Sequence, residues 1–202
     1  MNDLTLLVIA KDPLPGKVKT RLIPDVGAHV AADLAAACLA DTLDAVAATP
    51  ATRRVLVLDG SPGAWLPEGI EVVAQSGGGL ADRLAAAFAG VRGPAFLIGM
   101  DTPQVTPALL DVDLTSNDAV LGLASDGGFW GIGMRVPDPS VFTGVPMSTA
   151  RTGAALRAQL VRAGMRVTHL PVLTDVDTMT DAFAVAAEGP TTRFAAAMRR
   201  LP

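Results

Sequence analysis

The sequence predicts an α/β fold with a mainly parallel central sheet, helices on both faces and a small antiparallel addition. Three observations point to it. Short apolar runs alternate with helical segments through the first 125 residues. Those runs are continuous rather than alternating, as strands covered on both faces require. The later part breaks the alternation, which suits added antiparallel strands.

Leu4 to Ala10 is the first buried strand, and Lys11 to Pro24 the loop that follows it. Ala28 to Ala48 is rich in alanine and leucine and reads as a long helix, stopped near Pro50. Arg53–Leu58 and the short β-branched run Ile70–Ala74 are the second and third strands, separated by a proline- and glycine-containing loop. Leu80 to Val91 places Leu80, Leu84, Ala87 and Phe88 on one helical face, and Pro94–Gly99 is the fourth strand. A short helix starts after Thr106, with Pro107 at its first position. Asp118–Ala124 and Phe129–Met134 are further strands. Ser148–Ala163 is a helix capped by Ser148 or Thr149, Arg166–Leu170 a strand, and two helices close the chain near 178–187 and 191–200.

The 202 residues suit one domain spanning 1–202. Half are hydrophobic and 18% charged, a globular balance. A net charge of −4 argues against a general nucleic-acid binder. The single cysteine, Cys38, excludes an intrachain disulfide and a thiolate metal cluster, and its alanine-rich setting suits a small buried side chain. Mean hydropathy is +0.41, yet no apolar run reaches the roughly 18 residues of a membrane span. The apolar stretch near the N-terminus is too short for a signal peptide, so a cytoplasmic protein is expected. His29 and His169 are far apart and carry no site by themselves. Nothing singles out a dimer face, although a homodimer is compatible with the composition.

Four segments carry chemistry. The loop AKDPLPGKVKTRL holds Lys11, Lys17, Lys19 and Arg21 within eleven residues, after a buried strand, where open sheets bind ligands. Gly16 allows close backbone approach, and in an extended stretch Lys17, Lys19 and Arg21 share one side. Such a cluster suits a polyphosphate, with Arg21 able to bind two oxygens; otherwise it is a solvated basic loop. The Walker A spacing is absent. In GMDTP, Asp101 ends the fourth strand and either holds a divalent cation beside a ligand's phosphates or caps a turn. In TDVDT, Asp175 and Asp177 lie two apart. Asp177 either caps the next helix or joins Asp101 at a metal. In SDGGFWGIG, Asp126, Gly127 and Gly128 make a tight turn. Phe129 and Trp130 follow at once, so Asp126 beside aromatic walls could be the general base of an acceptor pocket. Arg83, after a glycine triplet, could reach a nucleotide base, and Ser148 lies beside a segment that could line the pocket.

Taken in order, AKDPLPGKVKTRL, GMDTP, SDGGFWGIG, VPMST…TG and DVDT resemble the DUF2064 family, from about Leu4 to Asp181. The resemblance implies a single-domain GT-A, nucleotide-diphospho-sugar transferase fold and glycosyl transfer. More distantly the chain is similar to phospholactate and molybdenum-cofactor guanylyltransferases. By this resemblance Lys11, Gly16, Lys17, Lys19, Thr20, Arg21 and Arg83 form the nucleotide site. Asp101 and Asp177 hold Mg²⁺ or Mn²⁺. Asp126, Gly127, Gly128, Phe129, Trp130 and Ser148 face the acceptor. Asp126 and Lys19 are the catalytic candidates. The chain departs from the family in having G-M-D rather than D-x-D, Phe-Trp where many members carry tyrosines, and Leu-Ala-Asp-Arg rather than Leu-Gly-x-Arg.

Three functions follow. The first is glycosyl transfer from an NDP-sugar to a small acceptor. The second is nucleotidyl transfer, in which a phosphorylated small molecule attacks an NTP and releases pyrophosphate. The third is nucleotide binding without turnover. The aromatic pocket around Asp126 favours the first, and a paired Asp101 and Asp177 the second.

Overall fold

The computed structural model describes residues 3–201. A seven-stranded sheet in the order β3-β2-β1-β4-β6-β5-β7 carries the fold. The elements along the chain are β1 (Thr5–Lys11), α1 (Ile23–Ala48), β2 (Arg53–Asp59), β3 (Glu71–Ala74), α2 (Leu80–Ala89), β4 (Ala95–Ile98) and α3 (Pro107–Leu110). Then come β5 (Ala119–Ala124), β6 (Phe129–Met134), α4 (Thr152–Arg162), β7 (Val167–Leu173), α5 (Met179–Glu188) and α6 (Arg193–Met198). Strand β6 alone runs against its neighbours β4 and β5; the remaining pairs are parallel. Among the described residues, no helix is long and apolar enough to cross a membrane.

The continuous apolar runs have the expected cause. On β1, Leu6 and Val8 join a core with Leu39 and Leu43 of α1, while Leu7 joins a second core with Phe88 of α2 and Leu156 of α4. A third cluster packs Leu34 and Cys38 of α1 against α5 and α6 through Val185 and Phe194. Asp41 fixes that last contact by accepting from the backbone N–H groups of Arg193 and Phe194, both at 2.8 Å.

Several boundaries differ from the sequence reading. Helix α1 starts at Ile23, but Gly27 at φ +79° interrupts it, so the unbroken helix begins at Ala28 as expected. Helix α4 starts at Thr152, not at Ser148, and neither Ser148 nor Thr149 is its N-cap. Thr149 instead accepts from the Arg151 N–H, and the Thr152 hydroxyl donates to the Pro146 carbonyl at 2.7 Å. The segment 148–151 is thus a turn locked by its own hydroxyls.

Trp130 belongs both to the core and to the lining of the cavity at the sheet's carboxyl edge. Its side chain is 1% exposed, meets Phe96 edge to face, and donates from Nε1 to the Pro171 carbonyl at 2.9 Å. The strand alternation sends Phe129 and Trp130 to opposite faces. Gly122 on β5 makes room for the indole: a Cβ there would lie 2.3 Å from Cε2. Gly122→Ala is expected to cost about 2–3 kcal/mol by overpacking. In thermal unfolding that is a drop of roughly 5–10 °C; an unchanged midpoint would show that the ring can shift freely.

Candidate functional site

The carboxyl edge of the sheet holds a cavity of about 530 Å³. Its position follows from topology. The chain leaves β1 and β4 in directions that open a crevice where the strand order reverses. The basic loop after β1 forms one wall. Asp101 after β4, the β5–β6 turn, and the segment after β7 form the other.

The basic loop is not extended. Lys17 N–H donates to Leu14 O and Leu22 N–H to Lys19 O, and Lys19 has φ +46°. Lys17, Lys19 and Arg21 therefore do not share one side, which corrects the expectation from alternation. The Lys19 side chain turns inward and is 4% exposed; the Arg21 side chain is 72% exposed. Lys19 Nζ forms an ion pair with Asp101 and donates to the Val176 carbonyl. Asp101 O in turn accepts from Val176 N–H at 2.9 Å. Burial alone would lower the pKa of the Lys19 ammonium. The charges of Asp101 and Asp177, among others, outweigh that and raise it. Arg21 pairs with Asp177 at 2.6 Å. Three distant segments are thus tied together by the cations of one loop.

Asp177 is not the cap of α5. Thr178 takes that role in a capping box with Asp181, leaving Asp177 on the cavity wall. Asp175 lines the same cavity, and sequence reasoning undervalued it. Burial, then the neighbouring carboxylates Asp101 and Asp126, push its pKa up to about 7 against the pull of Lys19. The alternation in TDVDT was the available signal, since it sends Val176 into the core between the two aspartates.

The D-G-G turn is built by close contact. Gly127 has φ +88°, and a Cβ there would lie 2.1 Å from Ala150 O. The Gly127 carbonyl accepts from Gly153 N–H at 2.9 Å, which docks the turn on the start of α4. Asp126 Oδ1 accepts from Gly128 N–H at 2.7 Å. So Asp126 shapes its own turn with Oδ1, and among the described residues nothing donates to its Oδ2. Phe129, Ser148, Thr149 and Thr152 complete this end of the cavity.

At the opposite end, Arg83 is held by Asp59 at 3.0 Å, Gln75 Oε1 at 3.1 Å and the Gly78 carbonyl at 3.2 Å. Gln75, which carried no sequence motif, donates to the Ala10 and Val57 carbonyls and so ties Arg83 to the ends of β1 and β2. Lys11, Lys17, Thr20 and Leu80 lie along the wall between. Gly16 has φ +77°, and no atom outside its own neighbours lies within 4 Å of the place a Cβ would take. Its requirement is conformational rather than one of close approach within the protein.

Among the described residues, no group of three or more His, Cys, Asp or Glu side chains is arranged to enclose a metal ion. The carboxylates on the wall are Asp101, Asp126, Asp175 and Asp177. Magnesium and manganese are satisfied by one or two carboxylates when a ligand's phosphates complete the shell. Burial, and after it the nearby carboxylates Asp101 and Asp126, raises the proton affinity of Asp175, and a divalent cation beside those carboxylates would offset part of that rise. The residues present fit such an ion.

A family model described as "Uncharacterized protein conserved in bacteria (DUF2064)" matches residues 31–149. A crystal structure from Desulfovibrio desulfuricans G20, described as a "putative nucleotide-diphospho-sugar transferase", is similar with a TM-score of 0.89 at 30% identity, over 98% of this chain and 95% of that one. Rv0371c of Mycobacterium tuberculosis H37Rv, in complex with manganese, is similar at 0.52 and 22% identity, over 91% of this chain and 97% of that one. For 2-C-methyl-D-erythritol 4-phosphate cytidylyltransferase from Thermus thermophilus the values are 0.54 and 15%, over 95% of this chain and 100% of that one. The last two are likenesses of fold. No curated protein matches the chain.

Proposed function

Because the chain belongs to the DUF2064 family, we propose that it transfers a glycosyl group from a nucleoside-diphosphate sugar to a small acceptor, with the help of Mg²⁺ or Mn²⁺. The observation that carries this reading is one cavity at the carboxyl edge of the sheet, with Lys11, Lys17 and Arg83 lining one part and Asp101, Asp126 and Asp175 another. The relative from Desulfovibrio, described in the same terms and alike over nearly the whole chain, supports it.

Lys11 and Lys17 bind the diphosphate as point charges. Arg83, oriented by Asp59 and Gln75, lies at the nucleoside end. Lys19 holds Asp101 in place. Asp101 would hold the divalent ion together with the ligand's phosphates, while Asp177 stays paired with Arg21. When bound, that ion supplies Lewis-acid stabilisation of the leaving diphosphate. Asp126 Oδ2 accepts the proton of the acceptor hydroxyl as its oxygen bonds to the anomeric carbon. The bond from that carbon to the diphosphate oxygen breaks, and the nucleoside diphosphate leaves.

The test is a thermal-shift panel of NTPs and NDP-sugars, each with and without Mg²⁺ or Mn²⁺. A ligand at 100 times its dissociation constant adds about 2.7 kcal/mol, enough to move the midpoint by several degrees. One NDP-sugar with metal is expected to stabilise the protein, and Asp101→Asn to remove the metal-dependent part of the shift. Stabilisation by an NTP and by no NDP-sugar would replace glycosyl with nucleotidyl transfer. Silence from every nucleotide would overturn the reading.

A further inference from the structure

We propose that the acceptor is an uncharged, polyhydroxylated molecule, a polyol or a free sugar, and that phosphorylated molecules are excluded from its place. This inference rests on the reading of the cavity as an NDP-sugar site.

Charge is segregated along the carboxyl edge of the sheet. The cations come from the β3-β2-β1 half: Lys11 and its loop after β1, and Arg83 on α2 after β3. The carboxylates come from the β4-β6-β5-β7 half: Asp101 after β4, Asp126 in the β5–β6 turn, and Asp175 after β7. Two cations of the loop reach across, and both are consumed there. Lys19 is committed to Asp101 and the Val176 carbonyl, and Arg21 to Asp177. Arg83 is likewise committed to Asp59 and Gln75. Among the described residues lining the cavity, Lys11 and Lys17 are the cations without such a partner, and both sit on the first half. On the second half no cation among the described residues lines the wall. Arg151, which lies close in sequence, is exposed and outside it.

A phosphate monoester carries close to two negative charges at neutral pH. Placed between Asp126 and Asp175 it would face the Asp126 carboxylate with no side-chain cation on that wall to answer it, the divalent ion being taken up by the donor's diphosphate, an arrangement that costs enough to reject a ligand. The same wall suits hydroxyl groups. Carboxylates accept from O–H donors, and the hydroxyls of Ser148 and Thr149 both donate and accept. The half-buried ring of Phe129 offers an apolar surface to the C–H face of a sugar or polyol.

The experiment uses the full chain and the NDP-sugar that stabilises it in the thermal-shift panel. Release of nucleoside diphosphate is measured with matched probes: glycerol and glycerol 3-phosphate, glucose and glucose 6-phosphate, mannose and mannose 6-phosphate, inositol and inositol 1-phosphate. At least one neutral member is expected to accelerate release by about tenfold or more over its phosphorylated partner, with the glycosylated product seen by mass spectrometry. Asp126→Asn is expected to lose that acceleration and keep the nucleotide-induced shift, which shows that the variant is folded. A phosphorylated member that works as well as its neutral partner would overturn the proposal. So would donor binding with no acceleration by any neutral probe. If no nucleotide binds at all, it is the NDP-sugar reading itself that fails, and the panel shows this before any acceptor is added.

Discussion

A Lys19→Met variant is expected to lose about 10²-fold in turnover while remaining folded, because Lys19 fixes the Asp101 carboxylate and a misplacement of about 1 Å near the reacting centre costs that much. The side chain is nearly fully enclosed, so no exposed lysine can substitute for it by moving. Its removal also releases Asp101 and the Val176 carbonyl, the latter 157 residues along the chain from Lys19. The stability cost is expected to be about 1–3 kcal/mol, moderated because Asp101 is 45% exposed and water can reach it. Lys19→Arg should not restore activity, since the larger planar guanidinium cannot take the place of a compact ammonium in so enclosed a position. Initial rates of nucleoside diphosphate release, with urea unfolding alongside, check both parts. Full turnover in the methionine variant would remove Lys19 from the mechanism.

The second large effect is on stability against pH. The Asp175 carboxyl has its pKa raised from 3.8 to about 7 in the folded protein. Below 3.8 the group is protonated whether the chain is folded or not, and it contributes nothing to the pH dependence. Between 3.8 and about 7 the folded state keeps a proton that the unfolded state has released. Stability therefore falls as pH rises through that window and levels off above it. Asp175→Asn removes the penalty. The variant is expected to be more stable than the parent at pH 8 by on the order of 2–4 kcal/mol, with the advantage shrinking towards pH 4. Urea unfolding of both proteins at pH 4, 6 and 8, without divalent ions, measures it. Parallel pH profiles would show that Asp175 titrates normally. Added Mg²⁺ with donor should narrow the gap at pH 8, since it offsets the same crowding of negative charge.

Both predictions concern contacts that local sequence could not reveal. The elements themselves were legible. Continuous apolar runs such as TLLVIA and AFLI can be satisfied only by strands covered on two faces, and the alanine-rich segment by a helix between layers. The order reversal in the sheet and the antiparallel place of β6 required the third dimension, because periodicity carries no information about which strands become neighbours. The motifs of the site were also visible as local clusters: the basic loop, GMDTP, the D-G-G turn and DVDT. Their internal geometry was not. Alternation suggested three cations on one side of an extended loop, yet turns at Leu14–Lys17 and Lys19–Leu22 send Lys19 in and leave Arg21 out. Trp130 lines the cavity, and the space opposite Gly122 seats its ring in the core as well, which its neighbours in sequence do not reveal.

By itself, then, the sequence determined the α/β class, the positions of the strands and helices to within a few residues, and the segments that carry charge at strand ends. These depend on the side-chain period and on turn chemistry, both of which act between residues close along the chain. Only the tertiary structure decided which charges meet. The pairing of Lys19 with Asp101, of Arg21 with Asp177, and the crowding of Asp175 against Asp101 and Asp126 join residues that the chain holds far apart. Electrostatic energy depends on distance and on burial in space, and both are set by how the sheet orders its strands.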